Sequence, residues 1–366
     1  MYDQIREDPL YIMLYAVVTA LAIMASCYLL FGRANVIAPD IKPPMRLRRW
    51  TAAFFASFAL NHLWYMPILF DISSEDVAMI DLTGGLLDCL TIIPLVIVVL
   101  FAMLQDRQRP LWIVAAMMAP LVVGMVWSIA YRSYALQPIG YAYFLIMCIG
   151  LSIYMVRAVR QYGKWLRNNY ADLEHKEVWQ SFVVLAIIML VFVIYASASE
   201  GVIYQYAMQM IIIVLICYLL WRVETLSDLS IPAPLDTIRN RSAQVALPAK
   251  NVDALIKRYC EEPQLYLQHD LTLLQLAKAI GTNRFYLSQY FSSQGLTYNA
   301  YINNLRVDHF TSLYRDAVEA HRSFTAQQLA QESGFRSYNT FSSAFKRKTG
   351  LSVTAWVKAN KGLENS

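Results

Sequence analysis

Seven stretches of about twenty mostly apolar residues occupy the first 222 positions, each long enough as a helix to cross the roughly 30 Å hydrocarbon core of a bilayer. The windows are 11–31, 50–70, 80–103, 111–131, 138–157, 179–199 and 203–222. Lipid offers no hydrogen-bond partner to a bare backbone, so each window is expected to be a helix. Residues 223–366 have ordinary soluble composition. The 57% hydrophobic content and mean hydropathy of +0.38 therefore come from the first part alone.

Trp50, Tyr65, Trp112, Trp127, Tyr131, Trp179, Tyr204 and Trp221 fall toward window ends, where interfacial aromatics gather. Pro67, Pro94 and Pro120 lie inside windows and are expected to kink them. Alternate connections are rich in cations: Arg33, Lys42, Arg46, Arg48 and Arg49, then Arg107 and Arg109, then Arg157, Arg160, Lys164, Arg167 and Lys176. The opposite side carries only Arg6 and Arg132, beside Asp3, Glu7, Asp8, Asp71, Glu75, Asp76 and Glu200. Twelve cations against two place the N-terminus outside and the C-terminus in the cytoplasm of an inner, multi-pass membrane. An odd number of spans is required for that, and seven satisfies it. The leader MYDQIREDPL is acidic, the wrong charge for a signal peptide even though Ala25-Ser26-Cys27 faintly resembles a lipoprotein cleavage site. The first window is thus expected to be retained. Cys27, Cys89, Cys148, Cys217 and Cys260 stand singly, without disulfide or metal-ligand spacing, and no cofactor is expected.

Residues 223–250 contain Pro232, Pro234 and Pro248 among polar residues and no heptad, which marks a linker. From 251 to 366 the pattern is helical. After an amphipathic helix through Asp253, Leu255, Ile256, Tyr259 and Cys260 comes LTLLQLAKAIGTNRFYLSQYFSSQG, 271–295. Thr272 is placed to cap a helix with apolar face Leu274, Leu276, Ala277 and Ile280. Gly281 then supplies the turn, Thr282 or Asn283 caps the next helix, and Phe285, Leu287, Tyr290 and Phe291 pack it down. That is a helix-turn-helix, and FTAQQLAQESGFRSYNTFSSAFKRKTG, 324–350, is a second. Leu329 and Ala330 match Leu276 and Ala277, Gly334 is the turn, and Phe341 and Phe345 match Leu287 and Phe291, at a spacing of 53–54 residues. Tyr298, Tyr301, Ile302, Leu305 and Leu313 mark a connecting helix of roughly 30 Å, close to the ~34 Å of one turn of B-DNA.

YLSQYF at 286–291, YINNLRVDH at 301–309 and GFRSYNTFSSAFKRKTGLS at 334–352 resemble the AraC/XylS family of transcription regulators over residues 253–360. Val353 departs from the proline usual in that family, so the last helix is expected to start differently. The resemblance implies two recognition helices reading successive major grooves of promoter DNA. Exposed residues early in each helix face the groove: Asn283, Arg284, Ser288 and Gln289 in the first, with Phe285 available to a thymine methyl, and Ser337, Tyr338, Asn339, Thr340 and Ser343 in the second. Arg336, Lys346, Arg347 and Lys348 suit phosphate contact, which makes binding salt-dependent. Arg306 either bridges the two subdomains or touches phosphate. With 13 Lys and Arg against 9 Asp and Glu, residues 251–366 are only mildly basic. Binding is then weak until the chain pairs with a second copy or is locally concentrated.

Polar groups inside spans are costly and point to function or to helix-helix glue. Asn61, His62 and Asp88, with Gln205 and Gln209 at the same outer end, are the candidate anchors of a small molecule or envelope signal, with His62 and Asp88 placed to face one another. The fold expected is all-α: a seven-helix transmembrane bundle (1–222), a linker (223–250) and a soluble domain with two helix-turn-helix subdomains (251–366). The function expected is a membrane-anchored one-component transcription regulator, partnered by promoter DNA, the lipid bilayer and a signal, with RNA polymerase and a homodimer mate as further partners. A transporter-like membrane protein with a regulatory DNA-binding domain is the alternative. An intramembrane enzyme is disfavoured, because Asp81 and Asp88 share one span and no nucleophile motif or metal cluster accompanies them.

Overall fold

A computed structural model describes residues 7–32, 35–39, 41–70, 73–198, 202–229 and 249–364. Among these residues the regular elements are helices, apart from one isolated antiparallel bridge between Tyr170 and Thr272. The chain divides into two compact units. The first comprises Met1–Tyr162 with Val178–Ile231, and the second Gly163–Glu177 with Pro232–Ser366.

The first unit is built from α1 (Pro9–Phe31), α2 (Met45–Tyr65), α3 (Ser74–Leu90), α4 (Ile92–Met103), α5 (Trp112–Tyr131), most of α6 (Gln137–Asn169), α7 (Trp179–Ala198) and α8 (Val202–Thr225). Among the described residues, six apolar stretches are long enough to cross a membrane: α1, α2 with the 3₁₀ turn after it, α3 with α4, α5, α6 and α8. Helix α7 fills the sixth predicted window, and many of its side chains lie outside the described residues. Asp8 caps α1 by accepting from the Leu10 and Tyr11 amides, and Ser73 caps α3 by accepting from that of Asp76.

The prolines act unequally. Pro67 converts the end of the second window into a 3₁₀ turn, Met66–Leu69. The third window is two helices, separated at Thr91 (φ −125°, ψ −70°). Pro94 lacks an N–H for the Leu90 carbonyl and its ring crowds that carbonyl, so the break falls there. Pro120 sits inside an unbroken α5. Two helices outrun their windows: α6 continues to Asn169 and α8 to Thr225.

Beyond α8, Leu226 and Leu229 are buried in the first unit, and the Gln105 amide ties the segment down, donating to the Ser227 carbonyl and accepting from the Leu229 amide. Glu224 is buried and accepts from the Tyr28 hydroxyl and from the amides of Val36 and Ile37 at 3.1 and 2.8 Å. The start of the expected linker is therefore folded, and the remainder, 230–248, lies outside the described residues.

In the second unit, α9 (Ala249–Ile256) and a π turn (Lys257–Glu261) lead to α10 (Leu273–Ile280) and α11 (Arg284–Ser293). Then follow α12 (Tyr298–Glu319), α13 (Ala326–Glu332), α14 (Tyr338–Thr349) and α15 (Val353–Glu364). Two cores form. Leu273, Leu276, Ala277, Ile280, Leu287 and Phe291 pack with Tyr298 and Ile302 from the first half of α12. Leu329, Ala330, Phe335, Phe341 and Phe345 pack with Val307, Phe310 and Tyr314 from its second half. At 22 residues α12 is about 33 Å long and belongs to both subdomains. The buried face of α10 includes Leu273, with Leu274 only half-buried, a shift of one position from the expected stripe. Helix α15 starts at Val353, and the Ser352 hydroxyl accepts from the Ala355 amide at its start.

Candidate nucleic-acid interface and the polar cluster of the bundle

Each helix-turn-helix is set by the same local chemistry. Thr272 and Gln275 form a reciprocal capping box at the start of α10, and Thr325 and Gln328 form its counterpart at the start of α13. Asn283 caps α11 by accepting from the Tyr286 amide, and Ser337 caps α14 by accepting from that of Thr340. Gly281 (φ +78°) and Gly334 (φ +87°) take the left-handed conformation that makes the turn. At Gly334 a Cβ would lie 2.8 Å from the Leu267 backbone, so space as well as φ demands glycine. The amides of Thr282 and Phe335 donate to the Ala277 and Ala330 carbonyls, extending the repeat through the turn. The one extra residue of the second copy is Arg336, which is exposed and ion-paired with Asp270 at 3.6 Å.

The second recognition helix presents a clear stripe. Asn339, Ser343, Lys346 and Arg347 are exposed at helical spacing, with Tyr338 exposed beside them and Thr340 half-buried. Lys348 turns back instead, donating to the Asn304 carbonyl at 2.8 Å and pairing with Asp308 on α12. The first recognition helix exposes Phe285 and Gln289, four residues apart, while Asn283, Arg284 and Ser288 are half-buried. Phe285 is 63% exposed and so does not pack the helix down, which leaves it free for an apolar base contact. Burial holds the Arg284 guanidinium below its usual pKa. Asn283 and Ser337 each commit one acceptor lone pair to capping, and the Asn283 amide NH₂ stays available to a base or phosphate.

Arg306 is 1% exposed, too buried for a phosphate. Its guanidinium donates to the carbonyls of Tyr266 (2.7 Å), Gln268 (2.6 Å) and His269 (3.2 Å), and lies 5.7 Å over the Phe335 ring. It therefore fastens the Tyr266–His269 segment to α12 and touches the turn of the second copy, the bridging role of the two expected. Burial pushes its pKa down to about 10, which leaves it charged at neutral pH.

In the first unit the five candidate signal residues fall into three sets. Asn61 donates to Asp88. His62 pairs elsewhere: its Nδ1 lies 3.0 Å from the Thr19 hydroxyl, and its ring stacks on Tyr15 at 4.3 Å. The expected His62–Asp88 pair is replaced by these two contacts, because α1 supplies a nearer hydroxyl and ring. Gln205 accepts from the Tyr11 hydroxyl at 3.3 Å, and Gln209 is buried one turn further along α8. Tyr206, edge-on to Tyr11 at 5.6 Å, donates to Asp8. Helices α1, α2 and α8 thus share a polar seam that the single windows did not reveal.

Two short helix pairs on a shared 22-residue helix, each with an outward polar recognition helix, define a tandem helix-turn-helix architecture. Residues 276–359 match the family model described as a helix-turn-helix domain, from within α10 to near the end of α15. No curated protein and no solved structure matches the chain.

Proposed function

We propose that this chain is a membrane-anchored, one-component regulator of transcription. Its tandem helix-turn-helix binds promoter DNA, and its apolar unit spans the membrane and receives a signal. The match at 276–359, together with the exposed stripe on α14, carries the DNA-binding reading. Asn339, Ser343, Tyr338, Thr340, Phe285 and Gln289 read base edges, with Arg284, Asn283, Ser288 and Ser337 at the helix starts. Arg336, Lys346 and Arg347 take phosphates, and Lys348 does so only after leaving Asp308. In the test, Arg284→Ala with Asn339→Ala abolishes footprints on duplexes selected by the full chain from a randomised pool. Unchanged footprints would remove the DNA-contact assignment.

The membrane reading rests on the six apolar helices and on their outward side chains: Val123 on α5 and Ile139, Leu145, Ile146, Ile149 and Ile153 on α6 are exposed, a surface suited to lipid. With α7 as the remaining span, the twelve loop cations put the N-terminus outside and the DNA-binding unit in the cytoplasm. A reporter fused after Arg222 is then active only as a cytoplasmic type. The polar groups Asn61, His62, Asp88, Gln205 and Gln209, carried by α2, α3 and α8, are where a small molecule or envelope signal acts. RNA polymerase and a second copy of the chain are the remaining partners. A transporter-like reading draws on the helix break at Thr91, three residues from Asp88, since broken helices mark transport sites. Uptake into sealed vesicles distinguishes the two.

A further inference from the structure

The second unit is discontinuous in sequence: it includes Gly163–Glu177, which starts within α6 and ends just before α7. Leu166, Ala171 and Asp172 of this segment are buried, and Ala171, 0% exposed, belongs to the same core as Leu271, Leu276 and Ile302. The segment is held mainly through its backbone. The Ala171 amide donates to the Leu271 carbonyl at 3.2 Å, and Tyr170 bridges to Thr272. Asn299 and Asn303, one turn apart on α12, both donate to the Ala171 carbonyl, at 2.6 and 3.3 Å, and Asn299 also reaches the Tyr170 carbonyl at 3.3 Å.

The two asparagines are themselves 3% and 2% exposed, and a buried amide without an acceptor is costly, so α12 carries them to advantage only with the Ala171 carbonyl in place. Arg306 donates to the Asn303 Oδ1 at 3.4 Å, which turns the Asn303 NH₂ toward the segment. At the far end the buried Lys176 lies 3.5 Å from Asp270. Because Ala171 is wholly enclosed, a long side chain at that position has no space. None of the hydrogen bonds to Tyr170 or Ala171 uses a side chain assigned to DNA, and Asn339, Ser343, Lys346 and Arg347 are exposed with the segment docked.

We infer that Gly163–Glu177 is a second anchor of the DNA-binding unit, non-covalent and independent of the linker. The surface formed by Leu271, Thr272, Asn299 and Asn303 is then an interface for one partner, the connection between α6 and α7 of the same chain. The unit is joined to the apolar helices at two places, by the peptide chain after α8 and by the docked segment, whose own ends continue into α6 and α7. Cutting the linker alone therefore does not free the DNA reader, which acts while attached. The attachment is to a membrane on the reading proposed above; the second anchor itself stands or falls without that reading.

The test uses the full chain in mild detergent, with an affinity tag at its N-terminus and a protease recognition sequence inserted within 230–248. After complete cleavage the C-terminal fragment is still captured with the tag, held by the docked segment. Asn299→Ala with Asn303→Ala lowers the captured fraction about tenfold, the result of leaving the Ala171 carbonyl without its donors. Ala171→Arg lowers it by as much and leaves every residue of 249–366 unchanged, which guards against misfolding of the double variant. Release of the parent fragment on cleavage, or retention in Ala171→Arg equal to that of the parent, overturns the second anchor. Flotation of the uncut chain with phosphatidylcholine vesicles reads the membrane separately. A chain that does not float and yet retains its cut fragment removes the membrane reading and leaves the anchor standing.

Discussion

The two helix-turn-helix copies share their caps and glycine turns and differ in their cores and in the side chains that their second helices expose. The first core is largely aliphatic around Leu276, Ile280 and Leu287; the second is aromatic, with Phe310 edge-on to Phe345, Phe335 to Phe341 and Phe345 to Trp356. The first recognition helix has one cation, the half-buried Arg284, whereas the second ends in Lys346, Arg347 and Lys348. Such asymmetry separates two tasks on one scaffold. If the chain binds DNA as proposed, the second copy anchors by charge and the first adds the apolar ring of Phe285.

The largest effects fall on the cores. Phe341→Ala removes a ring that meets Phe310 at 4.4 Å and Phe335 at 5.3 Å, and a cavity of that kind costs about 4 kcal/mol. Leu287→Ala in the first copy costs about 3 kcal/mol on the same grounds. Chemical unfolding followed by tryptophan emission and by protease resistance measures both; equal losses would mean that the aromatic network adds nothing. Next comes Arg306→Met, which keeps the stem and leaves three carbonyls without their donor, a loss of about 3 kcal/mol. Because Arg306 also lies against Phe335, the loss should be felt in both copies, and a change confined to the first would sever the bridging role.

Binding variants are expected to act more gently and unequally. Asn339→Ala should cost about 1–3 kcal/mol at one base position and relax specificity there. Arg347→Ala should weaken binding to all sequences alike and lower the salt slope by about 1. Lys348→Ala should leave the slope unchanged, since that ammonium already serves Asn304 and Asp308. A titration of duplex against salt separates these outcomes, and a slope change at Lys348 equal to that at Arg347 would show that the ion pair opens on DNA.

Much of this contrast was legible beforehand, because a repeat needs only side-chain type and spacing. Leu276 with Leu329 and Phe291 with Phe345 revealed the fold, and α12 followed from Tyr298 and Ile302. The docked segment did not show, although its approach left a trace. Arg157, Arg160, Lys164 and Arg167 recur every three or four positions, opposite the buried Met155, Ala158, Tyr162 and Leu166, which is an amphipathic helix. Counted only as charges, they set orientation and the helix was missed. The partner of Ala171 had no such trace, since a backbone carbonyl accepting from Asn299 and Asn303 depends on no side chain at its own position. Likewise His62 and Asp88 were matched by depth in the membrane alone; depth says nothing of azimuth, and Thr19 and Asn61 lay nearer.

The smallest expected effect is the most direct test of whether the copies are equivalent where they look alike. In the first capping box the Gln275 amide donates to the Thr272 hydroxyl at 3.2 Å, and the Thr272 amide to the Gln275 side chain at 2.8 Å. In the second, the corresponding distances are 3.1 and 3.0 Å. Thr272→Ala and Thr325→Ala each delete the oxygen that serves an otherwise orphaned amide, so each should cost about 1 kcal/mol, while Thr→Ser at either position costs little. The surroundings differ, because Thr272 also bridges to Tyr170 of the docked segment and Thr325 has no such neighbour among the described residues. Equal losses therefore mean that the segment leans on the Thr272 backbone alone. A loss at Thr272 larger than that at Thr325, vanishing once Asn299 and Asn303 are alanine, means that the cap and the docked segment stabilise each other, and the first copy then owes part of its stability to the chain leaving α6.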